Sequence, residues 1–185
     1  MTPSQDELTG LVRLAQAGNP DALTVLLQKH EHEIYCYFLG RIGNRDEALD
    51  RTQQTLFKAW RNLSTLDDAS SFKPWLYTIA KNLARDYWRA KKASSQSWEE
   101  LEADIGTESM LGPEEYVIKA DLVKLALAEL TPKFRDSLLL QLVGGLSRHE
   151  IAARLEISER SVCTYISYAR KQFRHAYARL ENVSN

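Results

Sequence analysis

The sequence has little that would mark a secreted, membrane-spanning or metal-binding protein. No apolar run approaches the roughly 20 residues that a membrane helix needs, and the first residues, MTPSQDE, are polar and acidic. Its two cysteines, Cys36 and Cys163, have no metal-type spacing. His30 and His32 lie on different faces of a helical pattern and are interpreted as surface residues. We therefore expect no signal peptide, membrane insertion, metal or cofactor, and a cytoplasmic protein with reduced thiols.

Strand patterns are also absent, since no segment alternates convincingly with a two-residue period. Apolar residues instead recur at helical spacing along most of the chain, with stripes such as Leu23 to Phe38, Leu49 to Leu63 and Trp75 to Tyr87. Hydrophobic residues make up 44% and charged residues 26% of the 185 positions, which is ordinary for a globular protein. The predicted fold class is all-α.

Charge is unevenly distributed along the chain. Residues 94–115 contain seven acids and no lysine or arginine. The rest of the chain therefore has 18 of the 25 acids and all 24 basic residues, which gives it a net charge of +6. Gly112 and Pro113 form a break within this acidic segment. The pattern predicts two basic parts joined by an acidic linker, although a solvated loop would look similar.

The segment from Ser147 to Lys171 predicts a helix-turn-helix. Ser147 and Glu150 form a capping-box pattern, and Ser158 is a second N-cap candidate. Two helices joined so tightly would present the second one to a DNA major groove. Its outer face would carry Arg160, Cys163, Thr164, Ser167, Tyr168 and Lys171.

A plain helical hairpin is the alternative interpretation of this segment. Charge favours DNA binding, because Arg160, Arg170, Lys171, Arg174 and Arg179 follow Ser158 and only Glu159 and Glu181 oppose them. Such a cluster is typical of a helix that binds phosphates.

Four segments together resemble the extracytoplasmic-function sigma factors of bacteria. They are ALDRTQQTLFKAW (48–60), FKPWLYTIAKNLARDYWR (72–89), LTPKFR (130–135) and the helix-turn-helix. The resemblance implies two helical domains: region 2 (1–92) and region 4 (117–185), joined by a flexible acidic linker (93–116). It also implies the partners, which are core RNA polymerase, promoter DNA and an anti-sigma factor.

Region 2 of this family recognises the minus-ten promoter element. By resemblance Asn82 would contact a base edge and 65–71 would form part of a pocket for a flipped base. Cations and aromatic rings suit the binding of an opened DNA strand, because cations contact its phosphate backbone and aromatic rings stack on its bases. The candidates are therefore Asn82, Lys81, Arg85, Arg89 and Trp88, whereas Trp75, Leu76 and Ile79 are interpreted as core.

The third helix in this family meets the polymerase clamp helices. Asp50, Gln53, Gln54 and Phe57 are the candidates here, although Leu49 and Gln54 replace carboxylates that the family usually has. Phosphorylation of Thr52 or Thr55 would restore negative charge. A regulatory kinase is therefore one hypothesis.

Region 4 also departs from the family. Cys163, Tyr165 and Tyr168 replace the basic residues that often face the minus-thirty-five bases, so a G-rich element is not expected. The minus-thirty-five candidates are the outer-face residues together with Arg170. Glu156 replaces the usual turn glycine, and because a left-handed conformation is costly for glutamate, we expect a different turn shape.

The leading interpretation is a sigma factor that binds core polymerase, recognises a two-part promoter and assists melting. A sigma-like mimic that sequesters a regulator without binding promoter DNA is the alternative, and a repressor acting without polymerase would leave region 2 unexplained. No nucleophile, phosphate loop or metal constellation in the sequence indicates an enzyme.

Overall fold

The computed structural model describes residues 5–94 and 114–184, and the regular elements in these two ranges are all helical, which confirms the all-α prediction. The N-terminal unit contains α1 (Gln5–Gln16), α2 (Pro20–Ile42), α3 (Arg45–Asn62) and α4 (Phe72–Ser94). The C-terminal unit contains α5 (Glu114–Ala128), α6 (Pro132–Leu142), α7 (Arg148–Leu155) and α8 (Glu159–Ser184). The predicted acidic linker lies largely outside the described residues.

Local capping residues set the helix boundaries of the N-terminal unit. The side chain of Asn19 accepts a hydrogen bond from the amide of Ala22, and Pro20 occupies the first turn of α2. Gly43 ends α2 in the left-handed conformation, at φ 82°. Asn44 then caps α3 through a 3.0 Å bond from the amide of Glu47. Two residues, Gly43 and Asn44, therefore separate two long helices and allow them to fold against each other.

The core of the N-terminal unit forms where α2, α3 and α4 meet. Leu26, Ile34 and Phe38 of α2 are fully buried, as are Phe72 and Leu76 of α4. Burying one such side chain stabilises a fold by about 1.5 to 3 kcal/mol. This packing fixes the direction of α4, and with it the side chains on its exposed face.

The segment between α3 and α4 contains two 3-10 turns, Leu63–Thr65 and Ala69–Ser71. The Asp68 carboxylate accepts bonds from the Ser70 hydroxyl and amide and from the Ser71 hydroxyl, which lower its pKa. Gln16 of α1 donates to the carbonyls of Leu63 and Leu66 at 3.0 and 2.7 Å. The loop is therefore tied both to itself and to α1.

The two units lie against each other, with α2 packed on α5 and α6 and α4 meeting α7. Among the described helices, none is both long enough and apolar enough to cross a membrane.

Candidate nucleic-acid and polymerase interface

The helix-turn-helix forms through the capping box at its start. The Ser147 amide donates to the Glu150 carboxylate at 2.7 Å, and the Glu150 amide donates back to the Ser147 hydroxyl at 3.3 Å. Ile151 and Ala152 of α7 and Val162 of α8 are buried at the junction of the two helices. The small side chain of Ala152 allows this close approach.

The turn of the motif corrects our expectation for Glu156. Glu156 adopts the left-handed conformation, at φ 57° and ψ 45°, and is the only described non-glycine residue with positive φ. Its amide bonds to the carbonyl of Ala152, and so does the amide of Ile157, at 3.1 Å. These bonds complete the end of α7, so the turn keeps the shape that a glycine would give, at a conformational cost of about 1 kcal/mol.

The residues predicted for the outer face of α8 lie together on that face. Arg160, Cys163, Thr164, Ser167, Tyr168 and Lys171 are all exposed. Arg148 of α7 donates to the Cys163 sulfur at 3.4 Å, which brings a further cation to this face. Tyr168 stacks on Phe134 with ring centroids 6.1 Å apart and an interplanar angle of 11°.

Arg170 does not join this face. Its guanidinium donates to Gln141 of α6 at 2.8 Å and borders an apolar groove of about 440 Å³ between α5, α6 and α8. Leu127, Leu142 and Phe173 line the groove, and Arg174 is the second basic residue at its edge. Arg170 therefore lies where a protein partner of the C-terminal unit could contact it, turned away from the outer face.

The exposed face of α4 carries most of the predicted minus-ten residues. Asn82, Arg85 and Arg89 are exposed, and Asp86 lies between the arginines, 3.2 Å from the Arg89 guanidinium. Lys81 differs from them, because its ammonium donates to the carbonyl of Arg154 at the end of α7.

Trp88 is half-buried, and its ring meets Tyr87 edge-on with centroids 5.3 Å apart. The indole N–H is buried and has no hydrogen-bond partner among the described residues. Buried polar groups normally have a partner.

The predicted polymerase residues lie together on α3. Asp50 accepts bonds from Arg51 and Gln54 at 2.8 and 3.0 Å, and Gln53 donates to Glu31 of α2 at 3.0 Å. Phe57 is 51% exposed. One helix face therefore combines a carboxylate, two amides and an aromatic ring.

Sequence periodicity placed Leu49 and Trp60 in the apolar stripe of α3, while the resemblance placed Leu49 on the polymerase surface. Both residues are exposed. Leu49 is 44% and Trp60 52% exposed, and Trp60 meets Phe57 edge-on at 5.5 Å. Together with Phe57 they form an exposed apolar surface, which we call the α3 patch. The signal that could have identified it is their i, i+8 and i+11 spacing, which places them on one side of the helix.

Thr52 and Thr55 occupy the opposite side of α3. Both are buried, and their hydroxyls donate to the carbonyls of Ala48 and Arg51 at 2.7 and 2.8 Å. A kinase needs an accessible hydroxyl, so this geometry argues against either threonine as a phosphorylation site. The sequence could not show this, because a threonine that bonds to its own helix packs like an apolar residue.

His30 was expected on the surface and is instead buried on the core side of α2. Its ring lies against Phe72, with centroids 5.4 Å apart, and Nδ1 is 3.3 Å from the Glu33 carboxylate. Burial acts to raise the pKa of Glu33, but hydrogen bonds from His30 and Lys73 outweigh it and hold that pKa below its usual value. His32 is exposed as expected. No cluster of three potential metal ligands occurs in the described parts of the chain.

Comparison with known proteins identifies both units. The family model of sigma-70 region 2 matches residues 26–94, and that of sigma-70 region 4 matches residues 120–173. The extracytoplasmic-function sigma factor SigW of Bacillus subtilis is 28% identical over 88% of this chain and 92% of its own. The chain belongs to the extracytoplasmic-function family of sigma-70 factors. It is an alternative sigma factor for promoter recognition, as the sequence predicted.

Three further similarities extend over most of this sigma factor. The sigma-H factor of Pseudomonas aeruginosa is 27% identical over 92% of this chain and 93% of its own. Among solved structures, CnrH in complex with the cytosolic domain of CnrY shares the fold, with a TM-score of 0.67 and 23% identity over 91% of this chain and 95% of that one. Sigma factor RpoE of Bartonella quintana, solved with the anti-sigma factor NepR, has a TM-score of 0.64 and 24% identity over 81% of this chain and 92% of that one.

Proposed function

We propose that this sigma factor binds core RNA polymerase through α3, recognises the minus-ten element with α4 and the minus-thirty-five element with α8, and assists promoter melting in the cytoplasm. The observation that carries the proposal is the separation of three exposed surfaces by chemistry. The α3 patch is apolar and aromatic, the α4 face joins an amide to arginines, and the outer face of α8 is polar with cations at its ends.

On α4, Asn82 is the residue proposed to recognise a base. Its amide can both donate and accept, which suits a base edge, and it is exposed beside Arg85 and Arg89. The two arginines are proposed to hold the backbone of the opened strand. Trp88 adds an aromatic face, on which stacking would contribute about 1 to 3 kcal/mol per base.

On α8, base recognition is proposed to rest on short side chains. Thr164 and Cys163 can contact thymine methyl groups, while Ser167 can hydrogen-bond a base edge. Arg160 and Lys171, two exposed cations at opposite ends of this face, are proposed to contact phosphates. A face with so few cations toward the bases favours an element rich in A and T.

On α3, the proposed polymerase contact combines the α3 patch with Asp50, Gln53 and Gln54. Aromatic residues at the centre of an interface contribute most to binding, while polar residues at its edge fix the orientation. An exposed Phe57 and Trp60 pair is consistent with such a centre. It could offset the affinity lost with the missing carboxylates.

An anti-sigma partner is also proposed, because both similar structures named above are complexes, one of them with an anti-sigma factor by name. The apolar groove of the C-terminal unit, bordered by Arg170 and Arg174, suits a helix that carries acids beside its apolar face. Leu142→Glu should weaken such a complex, because it places an acid in the groove.

Run-off transcription with purified core polymerase and templates bearing random upstream sequences tests the main proposal. We expect enrichment of a two-part motif that depends on this protein, and an Asn82→Ala variant should lose the downstream part by about 10-fold or more. Asn62→Ala, which removes an exposed amide at the end of α3, is the matched control and should transcribe normally. A folded protein that supports no transcription would contradict the proposal and favour the sigma-like mimic.

A further inference from the structure

A buried ion pair joins the two units at their contact. Nε of Arg41, in the last turn of α2, lies 2.6 Å from Oδ1 of Asp136 on α6, and their side chains are only 12% and 9% exposed. Neither of these two atoms makes a hydrogen bond with the described residues, so the contact is an ion pair by proximity. Arg135 adds a second link, because its guanidinium donates to the carbonyl of Arg41 at 3.3 Å. Charge of both signs therefore lies at the centre of the contact between the units.

Apolar surfaces surround this pair and fit closely. A Cβ added at Gly40 would lie 2.8 Å from Leu139 Cδ2 and 3.2 Å from Leu127 Cδ1, so a larger residue there would require these leucine side chains to shift. At the other side of the contact, a Cβ at Gly144 would lie 3.2 Å from the Tyr77 ring.

A second set of contacts engages α4. Arg154 of α7 donates from Nε to the carbonyl of Pro74 at 2.9 Å, and Lys81 of α4 donates to the carbonyl of Arg154. The end of a helix attracts a cation, because its last carbonyls are unsatisfied and carry partial negative charge. Lys81 therefore uses its ammonium on α7, while Asn82, Arg85 and Arg89 stay exposed.

A charged contact can open more readily than an apolar one. Burial raises the pKa of Asp136 even though Arg41, Arg135 and Lys81 act to lower it, so the carboxylate is poorly solvated where it lies. The desolvation of a buried pair offsets much of its attraction, and separation returns both charges to water. Removal of one partner alone, in contrast, leaves an uncompensated charge.

We propose that the Arg41–Asp136 pair is a latch that holds the two units together in the free protein, and that the closed arrangement withholds Lys81 from DNA. Opening would release Lys81 to join Arg85 and Arg89 on the strand-binding face of α4. The latch itself depends only on the fold, whereas the role of Lys81 rests on the proposed function.

A charge-swap cycle on the full chain tests the latch. Small-angle scattering of the wild-type protein should give a radius of gyration near the ~16 Å of a compact chain of this length. Asp136→Lys and Arg41→Glu should each raise it clearly. The double variant should be more compact than either single one, because the pair is restored with opposite sign, while Arg135 and Lys81, which also act on position 136, oppose full closure. Glu129→Lys, which breaks the exposed Glu129–Arg179 pair inside the C-terminal unit, is the matched control and should stay compact.

Circular dichroism of the same variants distinguishes opening from unfolding, because an open variant keeps the helical signal of the wild-type protein. Single variants that remain compact would overturn the latch. A double variant that stays as extended as the single ones would overturn it too, since the pair would then matter only through packing.

DNA binding tests the role of Lys81. In the wild-type background, Lys81→Ala should change the affinity for a fluorescent random-sequence single-stranded 20-mer less than twofold. In the Arg41→Glu background the same substitution should weaken binding about threefold or more, while Arg89→Ala should weaken it in both backgrounds. Equal effects of Lys81→Ala in the two backgrounds would overturn the proposal that the closed arrangement withholds Lys81 from DNA. Loss of all DNA binding would count against the proposed function instead, and the scattering cycle would still decide the latch.

Discussion

Helices α4 and α8 are both proposed to meet DNA, yet they are held in different ways. α4 buries Phe72, Leu76 and Ala80 in the N-terminal core, and Lys81 on its other side bonds to the C-terminal unit. α8 buries a narrow stripe that includes Val162 and leaves a continuous outer face exposed. The exposed surface of α8 is therefore determined by contacts within the C-terminal unit. The exposed surface of α4 also depends on the position of the C-terminal unit.

The largest effect should come from the buried side of α4. Leu76→Ala removes a fully buried side chain and should lower the free energy of unfolding by about 2 to 5 kcal/mol, because the cavity cannot fully collapse. Ser167→Ala on the outer face of α8 should change it by less than about 0.5 kcal/mol. Urea denaturation followed by circular dichroism measures both. Comparable losses in the two variants would erase the contrast between the helices.

A smaller effect should distinguish two helix ends that share one conformation. Gly43 and Glu156 both adopt positive φ, at 82° and 57°. Glu156→Gly should raise the midpoint of unfolding by relieving about 1 kcal/mol of strain, and Gly43→Ala should lower stability by a similar amount. If Glu156→Gly proved destabilising, the left-handed turn before α8 would have to be compensated by contacts of the glutamate side chain.

The capping box before α7 sharpens the comparison further. Ser147→Ala removes the acceptor for the Glu150 amide and should reduce stability by about 1 kcal/mol. Asn44→Ala, at the start of α3, should cost about the same, because it removes the same kind of bond. Thermal unfolding of the two variants compares the units, and a much larger loss for one cap would show that its unit limits the stability of the chain.

The smallest effect concerns phosphate contacts. Lys171→Ala should make the slope of log K against log salt for duplex binding shallower by about 0.9. Between 50 and 200 mM salt, the variant should therefore lose about threefold less affinity than the wild-type protein. Arg89→Ala should leave the duplex slope almost unchanged and reduce that for single-stranded DNA by about 0.7. Titrations at several salt concentrations provide both slopes, and identical behaviour of the two variants would contradict separate roles for α4 and α8.

The features predicted correctly from the sequence are those that neighbouring residues determine. The capping box of Ser147 and Glu150 and the helical spacing of apolar residues are local, so helices and the helix-turn-helix could be placed without a structure. The grouping on the outer face of α8 followed from helical periodicity alone. The roles of these residues stay predictions, since geometry shows their exposure and not their ligands.

The features that the sequence did not reveal depend on contacts between distant residues. Burial of His30 and exposure of Trp60 were missed because polarity alone was taken to indicate the side of a helix. Glu156 was expected to avoid the left-handed region, but the bonds that end α7 stabilise it there. The Arg41–Asp136 pair joins positions 95 residues apart, and no local pattern predicts such a contact.

The exposed Trp60 gives this sigma factor an optical consequence. An indole in water emits at longer wavelengths than one enclosed by protein, and Trp60 stands beside Phe57 at the centre of the α3 patch. A partner that covered the patch would shift its emission to the blue. The proposed polymerase contact at the α3 patch can therefore be tested by fluorescence, with Trp60 substituted in a control because it is one of the four tryptophans of the chain.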